Sequence, residues 1–133
     1  MPLKIQLRPK ERIIINGAVI EGHPDSRTEI VVMNKARIMR QKHIMQEKDA
    51  NSPSKRLYFA LQMLYIDPDN EKDYLEAYEK YLDDLKNTVS LPPLVEALGN
   101  IETSVEKKQY YDALKVCREL TKTEEEIMKI GKE

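Results

Sequence analysis

The sequence predicts an α+β fold: a small antiparallel β-unit of about five strands, then a helical region of about four helices. Three observations carry this expectation. Apolar and polar residues alternate near the start, an Asn-Gly pair sits between two apolar runs, and from Ser52 the apolar period becomes helical. In Leu3-Lys4-Ile5-Gln6-Leu7-Arg8 the alternation puts Leu3, Ile5 and Leu7 on one face and Lys4, Gln6 and Arg8 on the other. Pro9 ends this strand, because it has no N–H for a ladder. Arg12 to Ile15 is the second strand and Ala18 to Glu21 the third. Asn16-Gly17 joins them as a two-residue turn, since both central residues of a type I′ turn need positive φ. Gly22 to Ser26 has turn chemistry throughout. Thr28 to Met33 is a β-branched fourth strand, and Ala36 to Arg40 a short fifth after an Asn34-Lys35 turn.

The helices follow. Ser52-Pro53 reads as an N-cap with proline at the first helical position, where its missing N–H costs nothing. In Leu57 to Ile66 only Gln62 is polar, so this helix is apolar all round and must be covered on every side. Asp67-Pro68-Asp69-Asn70 ends it and caps the next, in which Tyr74, Leu75, Tyr78, Tyr81, Leu82 and Leu85 recur at helical spacing. Ser90 is expected to cap a third helix, with Leu91, Leu94, Val95, Leu98, Ile101 and Val105 on one face. A fourth carries Tyr110, Ala113, Leu114, Cys117 and Leu120 and runs on through Glu124, Glu125 and Glu126 to Ile130.

A chain of 133 residues, 41% hydrophobic, can bury a core as one compact structural unit. Its net charge of −1 hides a division. Residues 1–56 carry twelve Lys or Arg against six Asp or Glu, a net of +6, and residues 57–133 carry ten against seventeen, a net of −7. The expected organisation is a basic β-rich region over residues 1–50 and an acidic helical region over residues 51–133. The basic half either faces an anionic partner or is attracted to the acidic half, within a chain or between copies. No apolar leader opens the chain, no run is long enough to cross a bilayer, and Cys117 is the only cysteine. These features predict a cytoplasmic protein without membrane partners.

Catalytic constellations are missing. His23 and His43 have no second ligand at metal spacing, Cys117 lies in an apolar helical stripe, and Gly17, Gly22, Gly99 and Gly131 form no phosphate loop. The chain is expected to be no enzyme, with no metal and no cofactor. What remains is a basic surface: Lys4, Arg8, Lys10, Arg12, Arg27, Lys35, Arg37, Arg40, Lys42, Lys55 and Arg56. Such a surface suits RNA phosphates, although no aromatic residue precedes Tyr58 to stack bases.

KERIIINGAVI, NKARIMRQKHIMQ, SPSKRLYFALQMLYID and QYYDALKVCREL, in this order and spacing, closely resemble the FlbT family of flagellum-biosynthesis regulators over Pro2 to about Leu120. The resemblance implies a post-transcriptional regulator of flagellin synthesis. It would bind the 5′ untranslated region of flagellin mRNA and promote degradation of that mRNA as a repressor, or act as a translational activator. It also implies FlaF as a partner in the same circuit; the alternative expectation, which the acidic, tyrosine-rich helices suit, is a protein-binding scaffold or chaperone acting on FlaF or flagellin. The chain departs from the family's usual pattern at three places. Lys10-Glu11-Arg12 stands where Gly-Glu-Arg or Gly-Glu-Lys is common, Met39 to Ile44 where Leu-Arg-Glu-Lys-Asp-Ile is common, and Ser52 to Arg56 where Thr-Pro-Ala-Arg-Arg is common.

The β-region alone is similar to the CsrA group of mRNA regulators, whose first and last strands present RNA-binding arginines. That likeness points to Arg8 and Arg40, with Lys4, Arg37 and Lys42 on phosphates, and Arg12 completes the expected RNA-binding set. The all-apolar helix predicts self-association as a homodimer, with Tyr58, Phe59, Met63 and Tyr65 at an interface with a second copy or a partner.

Overall fold

The structure, a computed structural model, describes residues 2–131, with side chains as far as residue 127. The chain divides into two compact units, Met1–Ile44 and Met45–Glu133. The first holds five antiparallel strands: β1 (Leu3–Leu7), β2 (Arg12–Ile15), β3 (Ala18–Glu21), β4 (Thr28–Val32) and β5 (Ile38–Arg40). They form two small sheets, β1 with β4, and β3-β2-β5. Asn16 and Gly17 both take positive φ, 51° and 86°, so the β2–β3 turn has the backbone its residues predict. Ile5, Leu7 and Ile13 are buried together, with Ile15, Ile20, Ile30, Val32 and Ile38 packed on them. Leu3 shares their face by parity but lies at the strand's end and is 48% exposed.

β5 is shorter than the run from Ala36. The Arg37 N–H is already taken by the Asn16 side chain, which replaces a ladder partner there. Likewise β4 stops at Val32, leaving Met33 exposed.

The second unit is four helices: α1 (Pro53–Ile66), α2 (Glu71–Thr88), α3 (Pro92–Glu106) and α4 (Tyr110–Gly131). Ser52 caps α1, its Oγ accepting the Lys55 N–H at 3.3 Å. Leu57, Leu61 and Leu64 are fully buried, because α1 packs along both α2 and α4. Gln62, the one polar residue of its apolar run, is buried without cost to pairing. It accepts the Met45 N–H at 2.7 Å and donates to the Met45 carbonyl at 2.9 Å.

Two expectations for α3 are corrected. Its N-cap is Leu91, not Ser90, because Pro92 occupies the first turn and holds the residue before it extended. Leu91 and Val95 are about half exposed rather than on the buried face, which is Leu98, Ile101 and Val105. Among the described residues no helix is long and apolar enough to cross a membrane.

Candidate nucleic-acid interface

Residues 1–44 hold nine Lys or Arg and four Asp or Glu, a net of +5, whereas residues 45–133 hold thirteen against nineteen, a net of −6. The charge division thus coincides with the division into units. Within the first unit, local chain geometry decides which cations meet.

β1 alternates, so Arg8 leaves the sheet on the outer face together with Lys4 and Gln6. The chain then reverses over Pro9 and Lys10, and Lys10 has φ of 65°. Glu11 clasps this turn, its N–H donating to the Arg8 carbonyl at 3.0 Å and its Oε1 accepting the Arg8 N–H at 2.9 Å. Gly22 passes close beneath, donating its N–H to the Glu11 carbonyl at 2.8 Å. A Cβ there would stand 2.7 Å from the Arg8 carbonyl oxygen, so the crossing admits only glycine.

The result is a recess of about 260 Å³ lined by Gln6, Leu7, Arg8, Glu11, Arg27 and Arg40. Three of these six residues are arginines. Among the described residues none of the three has an ion-pair partner. The one carboxylate in the lining, Glu11, is bound to backbone. Guanidinium forks and an amide around a small open recess can hold a phosphate bidentately or read a base edge.

The structure therefore places Arg8 and Arg40, two of the residues expected to bind RNA, in the lining of one recess, beside Arg27 and Gln6. The signal for Arg27 is long-range. β1 pairs with β4 so that Leu7 faces Thr28, which sets the residue before Thr28 beside the residue after Leu7. The other four lie outside the recess lining. Lys4 is exposed on β1 opposite Val31, and Lys42 is exposed in the 3₁₀ turn Gln41–His43. Arg12 is ion-paired with Glu21, its cross-strand partner, at 3.1 Å. Arg37 is half-buried, with its backbone held by Asn16.

The expected interface on α1 is changed by packing. Tyr58 is 3% exposed, buried beside Cys117 and Arg118 of α4, and burial pushes its phenol up to about 12 although Arg118 opposes the shift. It cannot serve an external interface in this packing. Phe59, Met63 and Tyr65 are half-buried, and Tyr65 has its ring 5.5 Å from that of Tyr111. Cys117 is fully buried, and burial raises its thiol above its ordinary range. His23 is spent locally, its Nδ1 accepting the Asp25 N–H at 3.1 Å. Among the described residues no group of His, Cys, Asp or Glu is arranged to hold a metal.

The family model described as Flagellar protein FlbT matches residues 3–128. The chain belongs to the FlbT family. It is 33% identical over 126 residues to the flagellum biosynthesis repressor protein FlbT of Caulobacter vibrioides, covering 95% of this chain and 89% of that one. It is 35% identical over 130 residues to the probable flagellum biosynthesis repressor protein FlbT of Rhodopseudomonas palustris, covering 96% and 98%. The probable FlbT repressor of Caulobacter sp. is 34% identical over 126 residues, with 95% of each chain covered. No solved structure matches the chain.

Proposed function

We propose that this chain is a non-enzymatic post-transcriptional repressor in flagellum biosynthesis. It binds the 5′ untranslated region of flagellin mRNA and promotes that mRNA's degradation in the cytoplasm. Membership of a family whose relatives are named flagellum biosynthesis repressors supports the regulatory role. The observation that carries the RNA reading is the recess lined by Arg8, Arg27 and Arg40, none of them ion-paired among the described residues, on a unit of net +5. In this reading the guanidinium groups take phosphates, Gln6 supplies an amide for a base edge, and Lys4, Arg37 and Lys42 extend the track along the backbone. The shortage of aromatic residues makes phosphate contact, not stacking, the main source of affinity. A homodimer joined through Phe59 and Met63 would present two recesses to one transcript and raise avidity.

The test is binding of the purified protein to its own flagellin leader RNA over a salt series. Affinity should fall linearly in log salt, with a slope of about −0.7 per phosphate contacted. Replacing Arg8 and Arg40 together by Ala should weaken binding and reduce the slope by about 1.4, two contacts' worth, while leaving the melting temperature unchanged. A salt slope unaltered by that replacement would remove the recess from the reading. In cells, the flagellin transcript should live longer when the gene is deleted. A shorter-lived transcript would reject repression by degradation.

A further inference from the structure

In the helical unit α1 packs along α2 and α4, and α3 packs along α4. α2 and α3 meet only sparingly, although just Val89, Ser90 and Leu91 join them. Short connections normally make antiparallel neighbours, so this bundle is open along one seam. An opening of about 400 Å³ lies there. Its floor is Leu75, Tyr78 and Leu82 from α2 and Val105 from α3.

The rim is Glu79, Asp83, Glu102 and Glu106. Glu102 is ion-paired with Lys86. Glu79, Asp83 and Glu106 have no cationic partner among the described residues. Tyr78 is 5% exposed, and no described group hydrogen-bonds its hydroxyl. Burial, and then the charges of Glu102, Glu106 and Glu79, raise its phenol above the ordinary value, which reports the negative field in the groove. An apolar floor between unpaired carboxylates, with a spare hydroxyl on it, is complementary to one kind of side-chain pattern.

We infer that the α2–α3 seam is a docking groove for an amphipathic helix of a partner protein, one carrying Lys or Arg beside its apolar stripe. Such a helix closes the bundle, lays its apolar residues on Leu75, Leu82 and Val105, and places its cations against the rim. Nucleic acid is repelled by the same carboxylates. A helix from a second copy is disfavoured too, because the helical unit carries a net of −6.

The test uses the full chain and a labelled 18-residue synthetic helix with Leu at positions i, i+3, i+4 and i+7 and Lys beside them, read by fluorescence anisotropy. The protein should bind it and should not bind the same helix with Glu for Lys. Replacing Glu79, Asp83 and Glu106 together by Lys should weaken binding about tenfold or more, whereas the same change at Asp69, Glu119 and Glu126 should cost about twofold or less. Tyr78→Phe should weaken it about threefold. No binding, or equal losses from the two triple variants, would overturn the inference. So would a dimer of the natural protein that the groove variant breaks, since a second copy would then fill the seam. The groove variant, whose net charge rises by six, should bind leader RNA at least as tightly as the natural protein does, so failure here is distinct from failure of the RNA reading.

Discussion

Asn16 and Arg37, twenty-one residues apart, hold each other by both ends: the Asn16 N–H donates to the Arg37 carbonyl at 2.8 Å, and the Asn16 Oδ1 accepts the Arg37 N–H at 2.8 Å. Asn16 thereby does two things. It supplies the first of the two left-handed residues of the β2–β3 turn, with φ of 51°, and it aligns the strand that ends in Arg40. Asn16→Ala should cost roughly 2 kcal/mol, about half from the left-handed backbone and half from the orphaned Arg37 N–H. Asn16→Gly keeps the backbone and should cost only about 1 kcal/mol. Denaturant titration separates the two. Equal losses would show that backbone conformation contributes nothing here.

Arg27 and Arg12 make a matched comparison for the RNA reading. Arg27 lines the recess with no ion-pair partner among the described residues, whereas Arg12 lies outside it and is paired with Glu21. Arg27→Ala should weaken binding to leader RNA by about 1 kcal/mol or more, as each of Arg8→Ala and Arg40→Ala should. Arg12→Ala should change it by less than about 0.5 kcal/mol, because exposed paired charges contribute little. The reverse order would move the RNA track from the recess to the β2–β3 face.

How far this was legible in the sequence depended on range. β2, β3 and the turn between them follow from alternation and from Asn16-Gly17, which act within a few residues. The Arg8–Arg40 pair was accessible through the family likeness of first and last strands. Arg27 was visible as a cation, but its place beside Arg8 needs the β1–β4 pairing, which no local pattern encodes. Tyr58 misled for a related reason. Periodicity shows that α1 is apolar all round but cannot count the helices that cover it, and α4 covers Tyr58. At α3, proline geometry outweighed the capping preference of Ser90.

Tyr58 and Tyr110 give an alkaline signature. Burial pushes both phenols up to about 12, and for Tyr110 the hydrogen bond to Glu71 at 2.6 Å and that carboxylate's charge add to it. In the unfolded chain a tyrosine ionises near 10. Below about pH 10 both states keep these two protons, so neither phenol makes stability depend on pH. Between about 10 and 12 the unfolded state ionises first, so stability falls as pH rises through that window. Denaturant midpoints should decline there, and less steeply in Tyr58→Phe and Tyr110→Phe. An unchanged slope in both variants would rule out these two phenols as its source.

Lys10 occupies a position better suited to glycine, and glycine is common there in the FlbT pattern. Its φ of 65° is left-handed, in the turn by which β1 hands over to β2. A side chain there costs roughly 1–2 kcal/mol. Glycine removes that strain but gives back roughly 0.5–1 kcal/mol through the greater freedom of the unfolded chain. Lys10→Gly should therefore stabilise the protein by up to about 1 kcal/mol, seen as a higher denaturant midpoint. Lys10→Ala keeps the strain and removes the same charge, so it should show no such gain. Equal stabilisation by both would trace the effect to relief of charge crowding rather than to the backbone. Both variants should lower RNA affinity equally and slightly, since Lys10 is not part of the recess lining and each removes one cation from the basic unit.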